Sequence, residues 1–177
     1  MKLEILAMGK VKDKHYKALM REYMGRMGHY LTAVETPLRE SKLTAHDVAG
    51  GLEEEAREFD KRCNAHTIRV AMDERGELLT SMELARKVED WMTYGTRHVA
   101  FMIGSANGLA PEVRDQADLV LALTPMTLPH EMARVMLAEQ LNSAGFATAA
   151  FLGAMPLGEH ANFPQGFAYI DDEFQHA

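Results

Sequence analysis

The sequence predicts an α/β fold in which a mostly parallel sheet carries helices on both faces. Short apolar runs alternate along the chain with stretches of helical periodicity, and this alternation is typical of parallel sheets. No internal repeat or low-complexity linker divides the chain. The predicted strands are five short apolar runs at residues 3–8, 31–36, 67–72, 99–103 and 119–123.

The composition is that of an ordinary globular domain. Of 177 residues, 47% are hydrophobic and 25% are charged, which is enough apolar material for a core. The net charge of −7 argues against a sequence-blind nucleic-acid coat, because such a protein needs a broad basic face. It is compatible with an RNA enzyme that has a small basic patch.

The chain is expected to be a soluble, cytoplasmic protein that does not enter membranes. Its single cysteine, Cys63, excludes an internal disulfide and fits a reducing compartment. Glu4 interrupts the first apolar run, so a signal-peptide layout is absent. No apolar run reaches the ~18 residues that a membrane-spanning helix requires.

Periodicity and end signals predict the helices. Residues 16–27 carry apolar side chains at i, i+3, i+4 and i+7 spacing, a stripe that indicates core packing rather than a cofactor site. Pro37 is expected to end the second strand. The run Glu53-Glu54-Glu55 is expected to open a helix after a polar loop that contains Gly50-Gly51.

Further signals bound the later elements. Met72-Asp73 is expected to end the third strand, with Gly76 supplying a turn. Thr80 and Glu83 have the spacing of a capping box at a helix start. A short helix is expected at residues 111–117, and a last helix at residues 129–141.

A basic cluster follows the first strand and consists of Lys10, Lys12, Lys14, Lys17 and Arg21, with Asp13 as the acid among them. One interpretation is a solvated loop and helix start. The other is an edge that contacts phosphates, which would position an RNA without specifying its sequence.

The most informative stretch is residues 101–134. The strand at residues 99–103 leads into a loop that contains Gly104 and Gly108, and the strand at residues 119–123 leads into a second tight loop followed by a helix. Open α/β sheets bind ligands in such a crevice, where backbone N–H groups and helix N-termini face the ligand. The pattern predicts a nucleotide-like pocket without naming the ligand.

Two motifs in this stretch resemble those of a known family. The segment Ile103-Gly104-x-x-x-Gly108-Leu109 is followed by Leu123-Thr124-x-Met126-Thr127-Leu128-Pro129-His130-x-x-Ala133-Arg134. Together they closely resemble the bacterial RlmH family, SPOUT-class methyltransferases that methylate N3 of a pseudouridine in large-subunit ribosomal RNA. The resemblance runs from Met1 to about Leu141.

The resemblance implies a SPOUT-type α/β knot, with a trefoil in which the segment near residues 123–129 threads under the chain. It implies one domain at residues 1–144, an atypical tail at residues 145–177, and a homodimer acting on 23S rRNA in the assembled ribosome. It also implies a pocket for S-adenosylmethionine (SAM). The residues assigned to that pocket are Met72, Gly104, Ser105, Gly108, Leu123, Thr124, Pro125, Met126, Thr127, Leu128 and Pro129.

Three polar residues are candidates for the chemistry. A pseudouridine ring nitrogen is a weak nucleophile until its proton leaves, so a nearby base would help, and His130 and Asp73 are the candidates. His130 has an alternative role in capping the helix, and Asp73 in capping its loop. Arg134 has the competing interpretations of an anion-binding residue and an ion pair on the helix face. No metal site is expected.

The chain departs from the family at two points. Ser105 stands where relatives usually have a second glycine. After Leu141 the usual Tyr-Arg-Ala and closing Tyr-His-Arg sequences are absent. In the resembled family the closing residues face the SAM pocket and the RNA base. The alternative is therefore a relative that binds SAM or RNA without transferring a methyl group.

A third reading is another nucleotide-binding α/β enzyme, although the usual signatures are missing. The segment Gly104-Ser105-Ala106 lacks the Gly-x-Ser-x-Gly of a nucleophile elbow. No Gly-x-Gly-x-x-Gly or Gly-Lys-Ser/Thr motif is present. Asn107-Gly108 has the alternative interpretation of a tight turn without a ligand role.

Overall fold

The computed structural model describes residues 1–29 and 31–152; the rest of the predicted tail lies outside the described residues. Ten α-helices and β-strands of these residues follow one another along the chain, and a short 3-10 helix (Leu43–Ala45) precedes the second α-helix. They are β1 (Lys2–Met8), α1 (Lys14–Met27), β2 (Thr32–Leu38), α2 (Val48–Asp60), β3 (Thr67–Leu78), α3 (Ser81–Thr93), β4 (His98–Ile103), α4 (Pro111–Asp115), β5 (Leu119–Ala122) and α5 (His130–Leu152).

The strands form one sheet in the order β2-β1-β4-β3-β5, and every neighbouring pair is parallel. The predicted parallel sheet is therefore confirmed. Because all strands run in the same direction, their carboxyl ends lie along a single edge of the sheet. The loops that follow β4 and β5 meet at that edge, beside residues 72–75 of β3.

Helices cover both faces of the sheet, as predicted. Alternate residues of β1 point to opposite faces, and Ile5 packs in one hydrophobic cluster while Leu6 packs in another. The first cluster also holds buried side chains of α1, α3 and α5, and the second holds those of α2 and α4. None of the described helices is long and apolar enough to cross a membrane.

The prediction that Pro37 ends the second strand was wrong. Strand β2 continues through Pro37 to Leu38 and pairs with β1 along its whole length. It is an edge strand, with β1 as its neighbour on one side. Proline is tolerated at an edge, because an N–H that points away from the sheet takes no part in the hydrogen-bond ladder.

Helix α2 begins five residues earlier than Glu53, the predicted start. Its N-cap is Asp47, whose side chain accepts a hydrogen bond of 3.0 Å from the Gly50 backbone N–H. Gly50 and Gly51 therefore belong to the helix rather than to a loop. A Cβ at Gly51 would lie 2.7 Å from the backbone nitrogen of Thr44, so the glycine permits a close approach.

Strand β3 also runs further than predicted, to Leu78 rather than Met72. Its pairing with β5 shifts register between Met72 and Glu77, which is the bulge that the sequence pattern did not show. Gly76 lies inside the strand and supplies no turn. A Cβ at Gly76 would lie 2.6 Å from the carbonyl oxygen of Val120, so this glycine allows β3 and β5 to approach each other.

Other helix predictions hold. The apolar stripe of α1 packs into the core through Met20 and Met27, and the capping box of Thr80 and Glu83 opens α3. Helix α5 extends to Leu152, past the predicted end near Leu141 and past the predicted domain boundary. The trefoil knot stays a prediction.

Candidate active site at the carboxyl edge of the sheet

A cavity of about 590 Å³ opens at the carboxyl edge, between residues 72–75 of β3, the ends of β4 and β5, and the start of α5. It is lined by Met72, Asp73, Glu74, Arg75, Ile103, Gly104, Ser105, Ala106, Asn107, Gly108, Leu121, Leu123, Thr124, Met126, Thr127, Leu128, Pro129, His130 and Ala133. The structure thus brings together every residue predicted for the site except Pro125 and Arg134.

The first wall is the loop that follows β4. The Gly108 N–H donates to the Ser105 carbonyl at 2.9 Å, which closes a tight turn. Gly108 has φ of 81°, in the left-handed region that favours glycine. The Asn107-Gly108 pair therefore forms the tight turn that was one of its two interpretations, and it also lines the cavity.

Gly104 is required by the packing of this loop. A Cβ at position 104 would overlap the carbonyl group of Gly108 and lie 3.0 Å from the Leu109 nitrogen. The next residue, Ser105, is tolerated in place of glycine, and its hydroxyl is buried without a hydrogen-bond partner among the described residues. The first wall therefore presents mainly backbone to the cavity.

The second wall is the loop between β5 and α5. Met126 is 73% exposed, so its side chain lies at the cavity mouth. The Thr127 hydroxyl donates to Glu74 Oε2 at 2.6 Å, which connects this loop to the bulged part of β3. Pro125 is exposed and does not line the cavity, so its predicted place in the wall is corrected.

His130 stands at the start of α5 and faces the cavity. The carbonyl of Pro129 accepts the Ala133 N–H at 2.9 Å, which forms the first helical turn. The first turn of α5 therefore lines the cavity, and helix N-termini are suited to polar or anionic groups because their first backbone N–H groups have no partner within the helix. His130 is half-buried, so its side chain is accessible from the cavity.

Asp73 lies in the wall, and its carboxylate is fully engaged. It accepts hydrogen bonds from Arg75 Nε at 2.8 Å and Nη2 at 2.9 Å, and Arg114 Nη1 lies 3.3 Å away. The hydrogen bonds from the Arg75 side chain are the main reason that the pKa of Asp73 is lowered. A carboxylate with a lowered pKa is a weak proton acceptor, which argues against the role of a base. Asp73 also accepts the Arg75 backbone N–H at 3.0 Å, so it caps the backbone locally, within the bulged part of β3 rather than in a loop.

Arg134 is corrected from a site residue to a buried structural one. Its side chain is fully buried, and it donates to the carbonyls of Met8 and Gly9 and to Glu35 Oε1, the last at 3.4 Å. Of its two interpretations, the ion pair is the one that the structure shows, with Glu35 as the partner, although the arginine is buried against β1 and β2. Helical spacing placed Arg134 one turn after His130. The direction of the Arg134 side chain, however, depends on contacts with β1 and β2 that the sequence pattern did not reveal.

Arg114 is the residue that the sequence analysis missed. Besides contacting Asp73, it donates to the carbonyl of Leu109 at 2.7 Å and so connects the bulged part of β3 to the loop after β4. The sequence around Arg114 contains no motif that identifies it as a site residue, because an arginine in a short exposed helix can have many roles. Among the described residues, no group of three or more His, Cys, Asp or Glu side chains could hold a metal ion.

Comparisons with known proteins agree with this geometry. The family model described as "Predicted SPOUT methyltransferase" matches residues 1–145. The protein named ribosomal RNA large subunit methyltransferase H from Rhodospirillum centenum is 40% identical over 147 residues, covering 81% of this chain and 92% of the relative. The protein of the same name from Acetivibrio thermocellus is 36% identical over 145 residues, covering 80% and 91%.

A solved structure supports the fold. The probable methylase family protein from Haemophilus influenzae Rd KW20 superposes with a TM-score of 0.52 at 19% identity, covering 84% of this chain and 68% of that one. The family model and the two relatives extend over the strands, loops and helix start that build the cavity. The chain therefore belongs to the SPOUT methyltransferase family, in the group of the ribosomal RNA large subunit methyltransferases H.

Proposed function

We propose that this protein is a SAM-dependent methyltransferase that methylates N3 of a pseudouridine in 23S rRNA on the assembled large subunit. The observation that supports this proposal is the cavity itself, which gathers the Gly104–Gly108 loop and the Thr124–Pro129 loop at one sheet edge. These are the segments that carry the likeness to the rRNA methyltransferases. The proposal includes a homodimer and a cytoplasmic location.

The cavity wall suits the nucleoside part of SAM. Gly104 and Gly108 leave backbone groups free of side-chain bulk, and an added Cβ at position 104 would close this cradle. Met72, Leu121 and Leu123 supply apolar surface against which a purine can pack. A mostly apolar pocket with a few backbone polar groups is the usual design of a cofactor site.

The protein itself does not need to form a covalent bond with the substrate for this reaction. When bound, SAM supplies an activated methyl group on its sulfonium. The chain then has to hold the target base in line with that methyl group and assist the departure of the N3 proton. His130 is our proposed base, because it faces the cavity and, unlike Asp73, is not engaged by two arginines.

The test is a methylation assay with labelled SAM. Large ribosomal subunits from a bacterial strain that lacks the pseudouridine methylation are incubated with the protein, and the label is mapped on the RNA. We expect label at one pseudouridine of the 23S rRNA. Protein that binds SAM by calorimetry but leaves the subunits unlabelled would overturn the catalytic proposal and favour a binding-only relative.

A further inference from the structure

A basic strip runs from the loop after β1 along α1 and consists of Lys10, Lys12, Lys14, Lys17 and Arg21. All five side chains are exposed. Lys14, Lys17 and Arg21 are three and seven residues apart, so they share one face of α1. In a chain with a net charge of −7, this local excess of positive charge stands out.

The charges of the strip are available to a partner. Within the described part of the chain, none of these five side chains forms an ion pair with a carboxylate. Asp13, the acid among them, accepts the backbone N–H groups of His15 and Tyr16 at 2.7 and 3.1 Å. Its carboxylate therefore serves as the cap of α1 instead of pairing with a lysine.

The strip begins beside the active-site cavity. Glu131 accepts the backbone N–H of Lys12 at 3.0 Å and that of Asp13 at 3.2 Å. Glu131 directly follows His130, which lines the cavity. The loop that carries the first lysines is therefore fastened to the first turn of α5, within one residue of the proposed base.

The far end of the strip lies at an open groove of about 430 Å³ between α1 and the edge strand β2. Lys17 and Arg21 line this groove together with Val34, which is 38% exposed. The one acid in its lining is Glu35, and Arg134 Nη1 lies 3.4 Å from that carboxylate and offsets its charge. The groove therefore presents positive charge to solvent.

We propose that the basic strip binds the phosphate backbone of the RNA that flanks the target nucleotide. Successive cations along a surface that starts at the cavity match the regularly spaced charges of an RNA strand, and phosphate contacts set the position of the substrate. This inference rests on the proposed function for the identity of the RNA. It adds which face of the protein the RNA crosses.

The experiment compares two double variants with equal changes in net charge. Lys17→Glu with Arg21→Glu reverses the strip, whereas Arg62→Glu with Arg86→Glu reverses two exposed cations elsewhere. Lys17→Gln with Arg21→Gln is a milder third variant. Binding to unmethylated large subunits is measured between 50 and 300 mM salt, along with SAM affinity, oligomeric state and circular dichroism.

We expect the strip reversal to weaken subunit binding by about tenfold or more, with an intermediate loss for the glutamine variant. Its salt dependence should be shallower by about two in logarithmic slope, one for each lost phosphate contact. SAM affinity should match that of the parent protein. Equal subunit affinities for the strip and control reversals would overturn the inference.

Methylation separates this inference from the proposed function. A parent protein that binds subunits through the strip without labelling them refutes the catalytic proposal and leaves the RNA-binding face in place. A parent protein that labels subunits, with a strip reversal that labels equally well at the same subunit concentration, supports the catalytic proposal and refutes the RNA-binding face.

Discussion

The carbonyl group of Gly108 occupies the space that a side chain of Gly104 would need. An ideal Cβ at position 104 overlaps that carbonyl and lies 3.0 Å from the nitrogen of Leu109. The two glycines thus fold the loop back on itself at the end of β4. Because Gly104 has no side chain, the loop can fold back in this way beside the cavity that both glycines line.

Gly104→Ala should reduce SAM affinity by at least tenfold, because the loop has to move to make room for the alanine side chain. Calorimetric titration measures the effect. Gly25→Ala is the matched control, since nothing lies within 4 Å of its Cβ and the position is helical. That control should bind SAM normally and gain about 0.5–1 kcal/mol of stability. Unchanged SAM affinity in Gly104→Ala would contradict the assigned wall.

Thr127→Val should raise the Kd for SAM by about two- to tenfold. The change removes the hydroxyl that donates to Glu74 at 2.6 Å, and a single hydrogen bond is worth about 0.5–1.5 kcal/mol. The loop between β5 and α5 would then lose its connection to Glu74 of β3 across the cavity. Thr93→Val, at an exposed end of α3, is the control. Equal affinities for both variants would show that the connection does not shape the site.

His130→Asn should lower kcat by about a hundredfold, the usual scale of a lost proton acceptor, with little change in SAM affinity. His66→Asn is the control, because His66 is exposed and lies outside the cavity lining. The measurement is single-turnover methylation of large subunits. If SAM affinity falls as much as kcat does, His130 holds the loop and helix start rather than moving a proton.

Arg134→Met should destabilise the fold by about 3–5 kcal/mol, the scale for breaking a buried charged pair. The change leaves Glu35 without its cation and the carbonyls of Met8 and Gly9 without their donor. Urea unfolding measures the loss. The double variant with Glu35→Gln should be less destabilised than the sum of the two single changes. Additive losses would mean that the two side chains act independently.

Asp73→Asn should reduce stability at pH 7 by about 1.5 kcal/mol, the scale of a charged hydrogen bond. Hydrogen bonds from Arg75 are the main cause of the lowered pKa of Asp73. A group with a lowered pKa in the folded state stabilises the fold at pH values above its pKa in the unfolded chain. This contribution is lost as the pH falls through its pKa in the folded state.

The difference between the parent protein and Asp73→Asn should therefore be constant near neutral pH. It should shrink once the pH falls below the ordinary aspartate value of 3.8. Urea unfolding from pH 7 down to pH 3 tests this sign. A difference that grows on acidification would show that the folded state holds Asp73 less strongly ionised than the unfolded chain does.

Local pattern was enough to predict the sheet class, the helices on both faces and a pocket after the fourth and fifth strands, whereas the resemblance to the methyltransferase family supplied most of the predicted lining residues. Period-two and helical spacing report which residues are buried, and a strand end followed by a Gly-containing loop reports where backbone is free to meet a ligand. Gly104 and Gly108 therefore appeared as site residues from sequence, and the structure brings both to the cavity.

Element ends were less predictable, because tertiary contacts decide them. The continuation of β2 through Pro37 depends on its place at the sheet edge, which the order of the strands determines. The extension of β3 depends on Gly76 lying against Val120 of the neighbouring strand. The local sequence does not show which strand lies beside Pro37 or Gly76, so the proline was interpreted as a strand end and the glycine as a turn.

The sequence by itself determined the family motifs, the alternation of strands and helices, and the two loops that form the cavity, since these depend on neighbours within a few residues. Only the tertiary structure decided how the charged side chains are used. Arg134 reaches carbonyls more than a hundred positions away, and Glu4, which interrupts the first apolar run, is buried beside Lys2, Thr36 and His98. A charged side chain can be buried only where partners converge on it, and that convergence is a property of the folded chain.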